Sequence, residues 1–211
     1  MPPRLPVPPL LLITDRRQAR VPLQDVLAAA FAAGCRWASI REKDFSSEEQ
    51  IAVAQQLVPL ARQHGALLTL HGDPELAREA ELDGAHLAAS GNLQNARKLL
   101  GSDALIGISI HTPEEAGELD PAIVDYAIAG PAYETSSKPG YRPVLGLAGI
   151  TAIAAVSPVP IIAIGGITLG LIDEMRTAGA TGVAVMGSVM RAHDPAEEVR
   201  ALVAAMAGRQ A

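Results

Sequence analysis

Eight short apolar runs, each followed by a stretch with helical spacing, divide this 211-residue chain. The runs cover 10–14, 36–41, 67–70, 84–87, 104–110, 124–129, 160–164 and 182–186. Apolar runs of this length are strands buried on both faces, as in a parallel sheet with helices packed on it. Strand–helix alternation predicts such a sheet, and eight units predict that it closes into a barrel. The rival, an open doubly wound sheet, is marked by G-x-G-x-x-G after the first strand, and this chain has none there. The length suits one domain. The expected fold is therefore α/β, a single-domain (β/α)8 TIM barrel over 10–211. Residues 1–9, rich in prolines that lack N–H donors, read as an exposed arm.

The helical stretches carry their own punctuation. Leu23, Val26, Leu27 and Ala30 recur at helical spacing over 22–33, and Gly34 ends the stretch. Ser46 with Glu49 three residues later forms a capping box for a helix to about 64, where Pro59 predicts a kink or an earlier stop. Pro74 fits the first turn of a short helix, and Asn92 caps another. The remaining helices fall at 114–119, 145–155, 169–178 and 195–207.

Composition narrows the function classes. Aromatic residues make up 3% of the chain, which predicts an aliphatic interior and leaves little for stacking on bases. A net charge of −6 without a basic stripe argues against nucleic acid and anionic membranes as partners. The single cysteine, Cys35, rules out an internal disulfide and reads as a small buried hydrophobe. Apolar stretches stop well short of the roughly 20 residues a membrane span needs, and the start lacks the order of a secretory signal. A cytoplasmic protein is expected.

In such a barrel the loops after the strands open on one face, where active sites sit. The last two runs end in Gly165-Gly166 and in Gly187-Ser188. Backbone without Cβ atoms at two adjacent strand ends is expected to bind a phosphate. The second run ends in Arg41, Glu42 and Lys43, with the two cations free to face one way while Glu42 turns to the core or balances them. His71, His86 and His111 fall on adjacent strands. His86 lies inside its strand and reads as a core residue. His111 follows Ser109 at a strand exit and is the best acid–base candidate, since imidazole exchanges protons near neutral pH. A three-histidine zinc site is disfavoured because no carboxylate shell is evident around it. His64 and His193 read as surface residues. The long loop 130–143 carries Thr135, Ser136, Ser137 and Lys138, hydroxyls with one lysine, a set suited to an anion.

Taken in order, LLLITD, SIREK, TLHGDPELA, DGAHL, IGISIHTPEEA, DYAIAGPAYETSSKPG, PIIAIGGI and GVAVMGSVM resemble the thiamine phosphate synthase/TenI superfamily over almost the whole chain after the arm. The resemblance implies a (β/α)8 barrel and two candidate activities. The synthase joins a pyrimidine diphosphate to a thiazole phosphate, releases pyrophosphate, and holds magnesium on two aspartates. At the matching places this chain has Gly72 and Gly91, with Asp73 one place along, and Ser39 replaces the synthase glutamine. The TenI branch carries His-Gly after the third strand and Ser-x-His after the fifth, as His71-Gly72 and Ser109-Ile110-His111 do here. The resemblance therefore implies a thiazole tautomerase, an isomerase that aromatises a carboxythiazole phosphate without a metal or other cofactor. His111 would move the proton, and Gly165, Gly166, Gly187 and Ser188 would grip the phosphate. Arg41, Lys43, His71, Ser109, Thr135, Ser137 and Lys138 would contact the substrate. The second reading is a magnesium-using synthase with an altered metal site. The third is a silent barrel that binds a thiazole phosphate. The expected partner is a phosphorylated thiazole small molecule, and the resemblance also admits a homodimer.

Overall fold

The computed structural model describes residues 5–137, 140 and 143–208. Eight strands pair in parallel, each with the next and the last with the first, as a closed barrel. They are β1 (Leu10–Ile13), β2 (Trp37–Ile40), β3 (Leu67–His71), β4 (Gly84–Leu87), β5 (Leu105–Ile110), β6 (Tyr126–Ala129), β7 (Ile161–Ile164) and β8 (Gly182–Val185). Helices α1 (Leu23–Ala32), α2 (Ser47–Gln63), α3 (Pro74–Glu79), α4 (Leu93–Leu100) and α5 (Pro113–Gly117) follow the first five strands in turn. After β6 and β7 come α6 (Gly146–Val156) and α7 (Ile172–Thr177), and β8 is followed by both α8 (Gly187–Met190) and α9 (Pro195–Ala207).

Side chains alternate along each strand. One set, including Leu10, Leu12, Ala38, Ile40, Ile106 and Ile108, packs against the helices in an aliphatic shell. The other set, Leu11, Ile13, Trp37, Leu105, Tyr126, Ile128, Ile162 and Ala184, fills the lumen. The lumen departs from the aliphatic interior expected of a chain so poor in aromatics. Trp37 and Tyr126 meet edge to face at its centre, ring centroids 4.7 Å apart, and both are fully buried. Eight strands leave a lumen that side chains must fill, and two large rings fill it.

The proline-rich start is likewise more than an exposed arm. Leu5 is buried in the lumen cluster, while Val7 is 81% exposed. The Pro9 carbonyl accepts from Val183 N–H at 3.1 Å. The described part of the arm, from Leu5 to Pro9, thus packs on the end of the barrel opposite the strand C-termini.

Ser46 and Glu49 make the reciprocal capping box. Asn92 and Asp73 cap α4 and α3. Helix α2 runs through Pro59 without stopping. The carbonyl that loses its partner belongs to Gln55, an exposed residue on the solvent side, and Leu57 and Ala61 hold the two sides of the break against the core. Among the described residues no helix is long and apolar enough to cross a membrane.

Candidate active site

The C-terminal ends of the strands surround a cavity of about 700 Å³. Strand β2 delivers Arg41 and Lys43 to it. The Arg41 backbone N–H donates to Thr14 Oγ1 at 2.9 Å, and Thr14 Oγ1 donates to Glu42 Oε1 at 2.7 Å. Glu42 also accepts from the Arg16 N–H. Glu42 therefore turns away into the loop after β1, and burial raises its pKa. The carboxylate braces the strand end, and the two cations on either side of it line the cavity. Partial burial, and next the Arg41 charge, lower the Lys43 pKa.

Strands β3 to β5 supply the histidines. His86 is fully buried in the lumen, with Nδ1 3.2 Å from Tyr126 Oη and Nε2 2.9 Å from Ser109 Oγ. The His71 ring lies against it, centroids 4.8 Å apart. Burial, and second the neighbouring His71, hold the His86 pKa well below 6.5. The unfolded chain takes up a proton below about pH 6.5 and the folded one refuses it, so stability is lost as pH falls below that value. The expected slope from this group is up to ~1.4 kcal/mol per pH unit. Urea melts at pH 7, 6 and 5 check it. His86→Gln is expected to be less stable at pH 7 and flatter toward acid, and equal slopes in parent and variant would refute the neutral buried ring.

His111 stands at the exit of β5. Its Nδ1 lies 2.7 Å from the Gly130 carbonyl, which only accepts, so the ring carries its proton there and Nε2 is its acceptor when neutral. The backbone N–H of His111 donates to the Glu115 carboxylate, which ties the residue to the start of α5. Thr135 and Ser137 line the cavity from the loop after β6, and the Ser137 N–H donates to Thr135 Oγ1 at 3.3 Å. Lys138 and part of 130–143 lie outside the described residues.

Strands β7 and β8 end in the glycines. Gly166 has φ +64°, and a Cβ there would lie 2.4 Å from the Glu134 carbonyl oxygen, so a side chain is barred by both conformation and space. The Tyr133 N–H donates to the Gly165 carbonyl at 3.0 Å. The glycines thus let the β6 loop pack directly on the β7 turn while backbone lines the cavity. Gly187 and Ser188 open α8, a short helix not foreseen in the sequence, whose first N–H groups have no intrahelical acceptor.

The structure brings Arg41, Lys43, His71, Ser109, His111, Thr135, Ser137, Gly165, Gly166, Gly187 and Ser188 to one cavity. Sequence reasoning missed Arg191, which also lines it. The signal was its place one helical turn after Gly187. Cys35 is buried at the far side of the sheet, and desolvation pushes its thiol up to about 11, in keeping with an inert core residue.

A family model for thiamine monophosphate synthase matches residues 10–189. The chain is similar to the thiamine-phosphate synthase of Bacteroides thetaiotaomicron, 39% identical over 180 residues, covering 82% of this chain and 86% of that one. It is also similar to the thiamine-phosphate synthase of Roseiflexus sp. strain RS-1, 34% identical over 198 residues, covering 93% and 84%. Among solved structures, thiamine phosphate pyrophosphorylase from Pyrococcus furiosus superposes with a TM-score of 0.83 at 28% identity, covering 94% of this chain and 95% of that one. These relatives overturn the tautomerase, and with it the isomerase, expected from the sequence. Within the two motifs that carried that expectation, the Ser109 hydroxyl is bonded to His86 and His71 packs on the same ring, while both residues also line the cavity.

Proposed function

The chain belongs to the thiamine monophosphate synthase family, and from that footing we propose that it joins a pyrimidine diphosphate to a thiazole phosphate and releases pyrophosphate. The observation that supports this reading is that the mouth carries two separate sets of anion-binding groups. Arg41 and Lys43 come from β2, and the glycine ends come from β7 and β8, with β1 between the sets in the closed order. Among the described residues its lining holds the cations Arg41, Lys43 and Arg191 against one carboxylate, Glu134, in a chain of net charge −6. Two phosphorylated reactants need two such places.

In this reading Gly166, Gly187 and Ser188 hold the thiazole phosphate on backbone N–H groups. Arg41 and Lys43 hold the diphosphate and stabilise the charge that gathers on pyrophosphate as its bond to the pyrimidine carbon breaks. Thr135 and Ser137 supply hydroxyls to the same anions, and His111 offers Nε2 as an acceptor to the substrate rings.

The residues present do not fit the magnesium that the family resemblance implies. Proteins hold magnesium through one or two carboxylates together with substrate phosphates. The two places where the resemblance puts carboxylates are Gly72 and Gly91, and the carboxylate residue in the described lining is Glu134, on the loop after β6. The Asp73 carboxylate is engaged with Glu75 N–H at 2.8 Å as the α3 cap. Gly72 has φ +150°, and a Cβ on Gly91 would lie 2.6 Å from Leu87 Cβ, so neither place accepts an aspartate without strain. The positive charge this chain itself provides at the mouth is that of Arg41, Lys43 and Arg191.

The test is pyrophosphate release measured with each substrate alone and with both, with and without magnesium. Release that requires both substrates is expected. Tight binding of both with no release in any condition would refute the reading and favour a silent barrel.

A further inference from the structure

Arg191 reaches back over the first residue of its own helix. A Cβ on Gly187 would lie 2.4 Å from both guanidinium nitrogens Nη1 and Nη2, so the absence of a side chain there makes room for the cation. The guanidinium is fastened from two other loops. Gln18, at the end of the 3-10 turn Arg16–Gln18 after β1, accepts from Nη1 through its side-chain oxygen. From the loop after β6, the Ser136 hydroxyl accepts from Nη2 at 3.1 Å and the Ser137 hydroxyl accepts from Nη1 at 3.4 Å. Gln18 is held in turn, its Nε2 donating to Asp15 Oδ2 at 2.6 Å while its oxygen also accepts from Ser137 Oγ at 3.3 Å. Among the described residues the side-chain partners of Arg191 are neutral. Its positive charge therefore stands at the cavity wall, beside the glycine backbone, aimed by hydroxyls and an amide, and the carboxylate of the adjoining depression, Asp15, is bonded to Gln18 and makes no ion pair with it among the described residues.

We infer that Arg191 is an anion-anchoring residue of the Gly187–Ser188 end of the cavity, aimed by Gln18 and Ser136, and that it sets the affinity for the phosphate-bearing substrate. The inference rests on the reading of that end as a phosphate site. A planar guanidinium gives a phosphate two parallel N–H donors, which neither a backbone N–H nor a lysine reproduces.

The test uses inorganic phosphate as the probe, titrated calorimetrically into the whole protein, so that it does not depend on turnover. Arg191→Met is expected to weaken binding about 10- to 100-fold, the loss of a charge-assisted pair. Arg191→Lys is expected to recover part of that loss. Gln18→Leu, outside the cavity, should weaken binding by a smaller factor, because the guanidinium keeps its charge and loses its aim. Arg41→Met, in the other set, identifies which end phosphate occupies. Equal affinity of parent and Arg191→Met, loss confined to Arg41→Met, or no binding by the parent would each overturn the inference. If pyrophosphate release fails while Arg191→Met still weakens phosphate binding, the anchor stands and the coupling reaction falls.

Discussion

Replacing Arg41 with methionine is expected to lower the rate of pyrophosphate release about 100- to 1000-fold, the range seen when a preorganised donor to a developing anion is removed. Arg41 is only 9% exposed, and its backbone is fixed through Thr14 to the buried Glu42. The backbone is therefore anchored, and burial of the side chain limits the rotational freedom left to lose when it meets an anion. Methionine keeps the stem and removes the charge, so the fold should be retained while the leaving group loses its support. The fall should appear in kcat as well as in KM, because the charge on pyrophosphate is greatest as its bond breaks. Steady-state kinetics with the thiazole phosphate saturating will check it. An unchanged kcat would assign Arg41 to the scaffold and leave Lys43 as the cation at that end.

Gly107→Ala is expected to cost the fold heavily. Its Cβ would lie 2.1 Å from Tyr126 Cζ and 2.5 Å from both Cε atoms. The ring has nowhere to go: it is fully buried, meets Trp37 edge to face, stacks on His86 at 5.5 Å, and has its hydroxyl beside His86 Nδ1. Overpacking a core typically costs ~1–3 kcal/mol, and this site belongs at or beyond the upper end because the displaced group is an aromatic ring. For a chain of this length that is a drop in Tm of about 6–12 °C. Thermal melts of parent and variant check it. A compensating Tyr126→Phe change should not rescue stability, because the clash is with the ring and the hydroxyl merely adds to it. A variant within 2 °C of the parent, on the order of 0.5–1 kcal/mol, would show that the lumen is looser than described.

The parts of the fold that depend on local chemistry are legible in the sequence. Eight apolar runs, the Ser46–Glu49 box and the Asn92 cap each act over a few residues, and each stands where the spacing puts it. What depends on distant partners is not. Pro59 sits inside a helix because Gln55 faces water and Leu57 and Ala61 face the core. Leu5 looks like a stray apolar residue among prolines until the lumen it closes is known. Two aromatic rings in a chain with so few do not announce that they meet at the barrel axis. The cavity shows the same division. Strand-end residues such as Arg41, His111 and Gly166 are placed by the barrel itself, whereas the Arg191 clasp joins loops after β1, β6 and β8, and beyond its place one turn after Gly187 the sequence does not show those partners. The His-Gly and Ser-x-His patterns misled for a related reason: spacing does not show that a polar group at the cavity, like Ser109, is also held by another side chain.

The proposed reaction requires this mouth to hold two phosphorylated molecules at once, one at the β2 cations and one at the β7–β8 glycines. Calorimetric titration of the thiazole phosphate into protein saturated with pyrophosphate, and the reverse, measures it directly. Each ligand is expected to bind with one-to-one stoichiometry in the presence of the other. Strict competition, with each displacing the other from a single place, would contradict it.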